Sequence, residues 1–438
     1  MNTRKRKSTF QTNAEKDKVR VDFLRQPSLL RLRGRIQNYS WGGLDYIAQL
    51  TGQRNDERRP LAELWLGAHP HAPALAELGG VEVALDELIA ANPVKLLGSR
   101  VARMLGGKLP FLFKVLDVRE MLSIQVHPTL AQAQRGFARE NRQRIPLAAG
   151  KRNYKDPFHK PEMHIALTDF WMLHGFRPFA QIVQMLRSVP AFQPLAVFAG
   201  TPAARSLDQR KKIQWLYAHI MTMPSSESDA MLSTLYRWLL DLQQKRDLDK
   251  NEPHYWALAA FKQFPATKAR WDRGLFSIYL LNLLHIPAGR GTFQPAQVPH
   301  AYLQGVTVEL MANSDNVLRG GLSEKYVDVP EMLKTLSFAG GAPRLIQGRK
   351  ISPAERRYRV PFSGFELSRI ALQPGRRYQR RSFHGPEILL MMDGEAWIHS
   401  RDLSLSLDRG DAIFAPANVP YIVRSDQAAV LFKAGIPL

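Results

Sequence analysis

Residues 109 to 128 read L-P-F-L-F-K-V-L-D-V-R-E-M-L-S-I-Q-V-H-P, from Leu109 to Pro128. The run Leu109 to Leu116 is almost wholly apolar, as in a strand buried on both faces. After a short turn, Ser123-Ile124-Gln125-Val126-His127 alternates polar with apolar, which predicts a second strand. Side chains at i and i+2 share a strand face, so Ser123, Gln125 and His127 point one way and Ile124 and Val126 the other. A polar row beside a buried strand needs partners. Downstream, Asn153-Tyr154-Lys155-Asp156-Pro157-Phe158-His159-Lys160-Pro161-Glu162 gathers charge and ring nitrogens just before another apolar strand, Met163 to Phe176. Gln-x-His on one strand, a later Glu and a distant His offer four N/O donors to a divalent cation. A hydrogen-bonded polar cluster would use the same residues.

The chain has 438 residues, 45% hydrophobic and 23% charged, as expected for two or three packed domains. With no cysteine, disulfides, thiolate metal sites and a cysteine nucleophile are excluded. No apolar run reaches the roughly 18 residues that span a bilayer, and the N-terminus lacks the apolar core of a secretory signal. A cytoplasmic protein without a membrane partner is expected. The net charge is +22. The first 20 residues account for +5 of it, so the excess is spread over the body. A diffuse excess attracts anions nonspecifically, and no nucleic-acid-binding motif accompanies it. A specific nucleic-acid partner is not expected.

Residues 1–29 read as a basic extension without fixed structure. Arg35 to Gly43 is expected to form a strand followed by a turn, Ala62 to Pro73 a second strand with a Pro-bounded exit, and Ala131 to Arg144 a helix. From 179 to 273 the apolar residues recur at helical spacing (Met231, Leu232, Leu235, Leu239), which predicts an inserted helical subdomain. Strands are expected to resume at Ile278. An internal repeat follows. At an offset of 121, Leu284, Gly289, Phe293, Pro295, Ala296, Val298 and Pro299 match Leu405, Gly410, Phe414, Pro416, Ala417, Val419 and Pro420. The copies end in Val298-Pro299-His300 and Val419-Pro420-Tyr421, an imidazole in one and a phenol in the other. The repeat predicts two related antiparallel β-barrels or jelly rolls. The expected class is therefore mainly β with a helical insert.

Several runs resemble the type I mannose-6-phosphate isomerase (phosphomannose isomerase) family of cupin enzymes. They include Gln37-Asn38-Tyr39-x-Trp41-Gly42, Glu63-Leu64-Trp65-x-Gly67-x-His69-Pro70, Leu122-Ser123-Ile124-Gln125-Val126-His127-Pro128 and His159-Lys160-Pro161-Glu162. Beyond the insert come Pro299-His300-Ala301-Tyr302 and Glu309-Leu310-Met311-Ala312-Asn313-Ser314-Asp315-Asn316-Val317-Leu318-Arg319. The resemblance implies two cupin-type jelly-roll barrels. The catalytic one would take residues 30–178 with 274–343, the metal-free one residues 344–438. It implies one Zn2+ per chain, held by Gln125, His127, Glu162 and His300, with Arg319 catalytic. The reaction implied is interconversion of mannose 6-phosphate and fructose 6-phosphate by proton transfer through an enediol.

Beside Arg319, the general-base candidates are Glu309 and a zinc-bound water, with Asp315 and His159 behind them, and a small sugar phosphate would meet Ser123, Lys160 and Lys325. Lys114 lies among buried apolar residues and needs a charged partner, structural or site-lining. Arg319 could instead pair with Asp315 at i, i+4. A monomer is expected. Thr129-Leu130 depart from the family pattern after His127-Pro128, as do the basic N-terminus and the charge. Two other readings compete. A metal-dependent cupin oxygenase would carry His-x-His where this chain has Gln125-x-His127, and a bicupin sugar-binding regulator would use the basic tail.

Overall fold

Strand His300–Ala312 is the longest in the molecule and organises the first barrel. Its later half pairs with Phe111–Val118 on one side and Glu162–Ala166 on the other. Its first residues pair with Phe170–Phe176 and with the two-residue strand Gln125–Val126. The change of partners falls at Gly305, whose φ is 122° and where a Cβ would lie 2.5 Å from the Asp169 carbonyl oxygen. Only glycine bends there, so one strand serves both walls. The computed structural model describes residues 13–437 apart from 105, 268–269, 381–384 and 402.

Alternation sorts the side chains of these strands. Met163, Ile165, Val306, Val308 and Leu310 point outward into a hydrophobic core shared with the C-terminal barrel. Glu162, His164, Thr307 and Glu309 are equally buried but face the other way, giving the first barrel a polar interior. The C-terminal barrel pairs a nine-stranded sheet with a four-stranded one. The repeat is visible in the backbone. Gly289 and Gly410 both have left-handed φ (83° and 92°), and so do Gln297 and Asn418 (72° and 64°) in the matching Pro-Ala-x-Val-Pro turns. In the second copy the Tyr421 hydroxyl donates to Glu387 (2.6 Å), which Arg380 and Lys433 also contact.

Several expectations need correction. Residues 13–25 form a helix, because Phe23 is buried in the shared core and Val19 lies against Gly79. The expected disorder over residues 1–12 lies outside the described residues. Strands Leu30–Arg33, Leu75–Leu78 and Val81–Ala84, expected in the catalytic barrel, belong to the C-terminal sheet, where Leu30 pairs with Phe414. Met163 to Phe176 is two strands, Glu162–Ala166 and Phe170–Phe176, because the chain bends at Leu167-Thr168.

The helical insert includes Phe179–Ser188, Gln209–Thr222, Ser225–Lys245 and Pro253–Gln263, and its apolar stripe joins the first barrel's second core. One more helix, Gly274–Leu280, precedes the strand Leu281–Ile286 that had been expected from Ile278. Helix Leu130–Arg142 starts at Thr129 with a reciprocal capping box to Gln132, which accounts for the unusual threonine. Among the described residues no single helix is long and apolar enough to cross a membrane.

Candidate metal centre

His127, Glu162 and His300 bring one ligand atom each within 4.8 Å of one another, all buried. His127 Nδ1 lies 2.9 Å from the Asn316 carbonyl oxygen, and His300 Nδ1 lies 3.1 Å from that of Val298. A carbonyl only accepts, so both Nδ1 atoms carry the proton and both Nε2 atoms present a lone pair. Each Nε2 faces a different oxygen of Glu162 at 3.3 Å. His127 Nε2 is buried without a hydrogen-bond partner, and burial pushes its imidazole below the ordinary value, toward the neutral form. Lone pairs aimed at a carboxylate across a buried gap repel unless a cation lies between them. The residues fit a divalent ion that accepts imidazole and carboxylate, as zinc does.

Sheet register brings in the rest. Gln125 is the pairing partner of His300 on one side and of Arg319 on the other, and directly opposed residues share a face. Gln125 and Arg319 line one cleft of about 460 Å³ with Ser123, Lys325 and Tyr39. Burial lowers the Arg319 guanidinium, and burial with Arg319 nearby lowers the Lys325 ammonium. Arg319 and Lys325 thus bring two cations to a cleft beside the ligands that Glu63, Glu120 and Glu324 also line. Asp315 turns to His69 and His71, and among the described residues Arg319 has no ion-pair partner.

Lys160 Nζ lies 3.2 Å from Glu162 Oε1. Burial pushes the Glu162 carboxyl up, but His127, Lys160 and His300 outweigh it and hold it well below the usual range. Glu309 sits deeper. It takes the Tyr302 hydroxyl on Oε2 (2.8 Å) and faces Lys114 Nζ at 3.3 Å. Lys114 also reaches Glu63 at 3.3 Å, so its expected charged partner is a pair of carboxylates. Burial raises the Glu309 carboxyl against the pull of Lys114. With both oxygens engaged and no part in lining the cleft, Glu309 is better placed to support Lys114 and Tyr302 than to carry a proton.

His159 does not join the cluster. Its ring packs edge-on against Phe362 of the C-terminal barrel, 5.5 Å between centroids, because Phe158-His159 turn outward before Lys160 and Glu162 turn in. Sequence reasoning missed Glu63, and it missed His164 and His174, which are buried in the polar interior and pushed down to about 3 and about 4 by burial. The signal for His164 was its i+2 spacing from Glu162.

Two jelly-roll barrels, the first with a polar interior that holds a two-histidine, one-carboxylate centre, define a metal-dependent enzyme of the cupin class. Residues 29–179 match the family model for the phosphomannose isomerase type I catalytic domain. The mannose-6-phosphate isomerase of Salmonella typhimurium is 38% identical over 89% of this chain and 95% of its own length. Mannose-6-phosphate isomerase 2 of Arabidopsis thaliana is 33% identical, with 93% of each chain covered. The crystal structure of the Salmonella typhimurium enzyme bound to fructose 6-phosphate and zinc superposes with a TM-score of 0.82 at 34% identity, covering 94% of this chain and all of the other. The chain belongs to the type I phosphomannose isomerase family.

Proposed function

We propose that this chain is a zinc-dependent isomerase interconverting mannose 6-phosphate and fructose 6-phosphate. The observation that carries the proposal is the His127–Glu162–His300 centre, with both Nε2 atoms turned toward Glu162, beside a cleft that holds Arg319 and Lys325, in a member of this family. Gln125 is the fourth proposed ligand, on the strength of its register opposite His300. A zinc ion held there supplies Lewis-acid charge that polarises or orients sugar oxygens.

The chain's own residues do the rest. Moving a proton between C1 and C2 of the open-chain sugar leaves negative charge on the enediol oxygens. Arg319 carries a permanent, planar positive charge with no ion-pair partner among the described residues, suited to stabilise that charge. Lys325 and Ser123 line the same cleft and are the proposed phosphate contacts. Lys160 is engaged by Glu162 and is better read as balancing the ligand's charge. The Tyr302 phenol is held well above its ordinary value by burial and by Glu309, so it stays a hydrogen-bond donor and fixes Glu309 against Lys114. Glu309 is therefore a positioning residue.

The same reading carries a cytoplasmic monomer without a specific nucleic-acid or membrane partner. The oxygenase and regulator readings have no observation in their favour. A coupled assay tests the function. Turnover of mannose 6-phosphate should vanish on chelation and return with about one zinc per chain. Full activity after chelation, or no turnover by the zinc-loaded chain, contradicts it.

A further inference from the structure

Two histidines stand outside this chemistry. His69 and His71 leave strand Glu63–Gly67 and, with Asp315, bring two ring nitrogens and a carboxylate oxygen within 4.8 Å of one another. His69 Nε2 lies 3.4 Å from Asp315 Oδ1, and His71 Nδ1 lies 3.2 Å from Asp315 Oδ2. The group sits in a separate cleft of about 830 Å³, lined also by Lys108, Lys155 and Phe158.

The carboxylate is fixed by its backbone. The Asp315 N–H donates to Asp156 Oδ2 (2.8 Å), and the neighbouring Ser314 hydroxyl donates to Asp156 Oδ1 (2.8 Å). His69 is 3% exposed and stacks edge-on against Trp65, whereas the His71 side chain is 73% exposed. One imidazole is thus anchored and the other open to solvent, which provides an access route for a dissolved ion. The donors again number two imidazoles and a carboxylate, each oxygen aimed at a different ring.

We propose that His69, His71 and Asp315 form a second binding site for a borderline divalent transition metal such as Zn2+ or Co2+. Imidazole-rich sites of this kind suit such ions, while Mg2+ and Ca2+ require mostly oxygen donors. The second site binds more weakly than the first, for a structural reason. The His71 backbone N–H points at His69 Nδ1 (3.3 Å), so the His69 proton resides on Nε2. Metal binding through Nε2 must move that proton to Nδ1 and turn the His71 N–H away.

The test counts ions. Chain carrying one zinc equivalent is dialysed against rising free Zn2+, and in parallel titrated with Co2+ and followed by its visible absorption bands. Wild-type protein should rise from about one to about two ions per chain, with cobalt bands appearing over the same range. The His71→Ala chain, losing only an exposed side chain, should stop at about one, show no second set of bands and melt as wild type does. A wild-type chain that stops at one ion, or a His71→Ala chain that takes up the second, overturns the proposal.

Discussion

Arg319 shows what one residue contributes when its neighbours are otherwise occupied. Asp315, four residues back, is drawn off by His69 and His71, so the guanidinium lines the cleft without an ion-pair partner among the described residues. Arg319→Ala should lose roughly 10²–10³-fold in turnover, the size of one lost electrostatic stabiliser. Lysine should restore only part of it, since it keeps the charge but not the fork. Zinc content and melting temperature should stay near wild type, and steady-state kinetics with metal analysis decide. Asp117 gives a second prediction. Burial, with Asp45 adding repulsion, pushes its carboxyl from 3.8 up to about 6. A folded state that holds the proton more tightly than the unfolded one loses stability as pH rises from about 4 to about 6, and the penalty persists above that. Asp117→Asn should therefore be more stable than wild type by about 1 kcal/mol at pH 7, a figure discounted for partial exposure. The gain should disappear near pH 4, as thermal melts across that range will show. At this scale the sequence was informative where spacing fixes direction, as for Gln125 and His127, and silent where a partner comes from far along the chain. Nothing local to Asp315 announces His69, and nothing local to His159 announces Phe362.

Elements were legible in proportion to how much of their stability is local. Helix Leu130–Arg142 carries its own capping box, and Ser225–Lys245 its own apolar stripe, so composition and period find both. The strand around Gln125 is only two residues long, although the alternation runs further. Leu122 and Ile124 donate to Tyr302 and Gly321 carbonyls outside the ladder. Alternation reports which face is buried, not which strand lies alongside, so the placement of Leu30–Arg33 in the C-terminal sheet had no local signal. The N-terminal helix is held by Phe23, with Val19 and Leu24 packed at the edge of the same core. Phe23→Ala should cost up to about 3 kcal/mol, below a fully enclosed phenylalanine because the site is peripheral. Deleting residues 1–28 should lower the melting temperature yet leave turnover at saturating substrate within about twofold. The helix packs beside Gly79 and Glu87, not on the cleft. A large loss of turnover with the fold intact would contradict that placement.

Across the whole molecule, the outward faces of both barrels meet in one core, and strands from the first hundred residues complete the last barrel's sheet. Neither barrel keeps its buried surface without the other. Heating should therefore produce one cooperative transition for the barrels, with zinc release coinciding with it; two resolved calorimetric peaks would show them to be independent. The helical insert shares its core with the first barrel and should melt within the same event. Sequence periodicity could predict two barrels and an insert, but not this coupling, since the shared core is made of residues whose alternation looks the same facing a neighbour barrel or a barrel interior.

The strand Leu30–Arg33 is made long before the residues it pairs with, and the Arg31–Asp411 contact spans 380 positions. At roughly 5–20 residues per second, that strand leaves the ribosome some tens of seconds before its partner does. Its Leu-Arg-Leu-Arg pattern puts a charge at every second position during the wait, a sequence poorly suited to pairing with another nascent copy. The order of translation thereby bears on the yield of native enzyme, and the arginines of this strand serve the unfinished chain as well as the finished one.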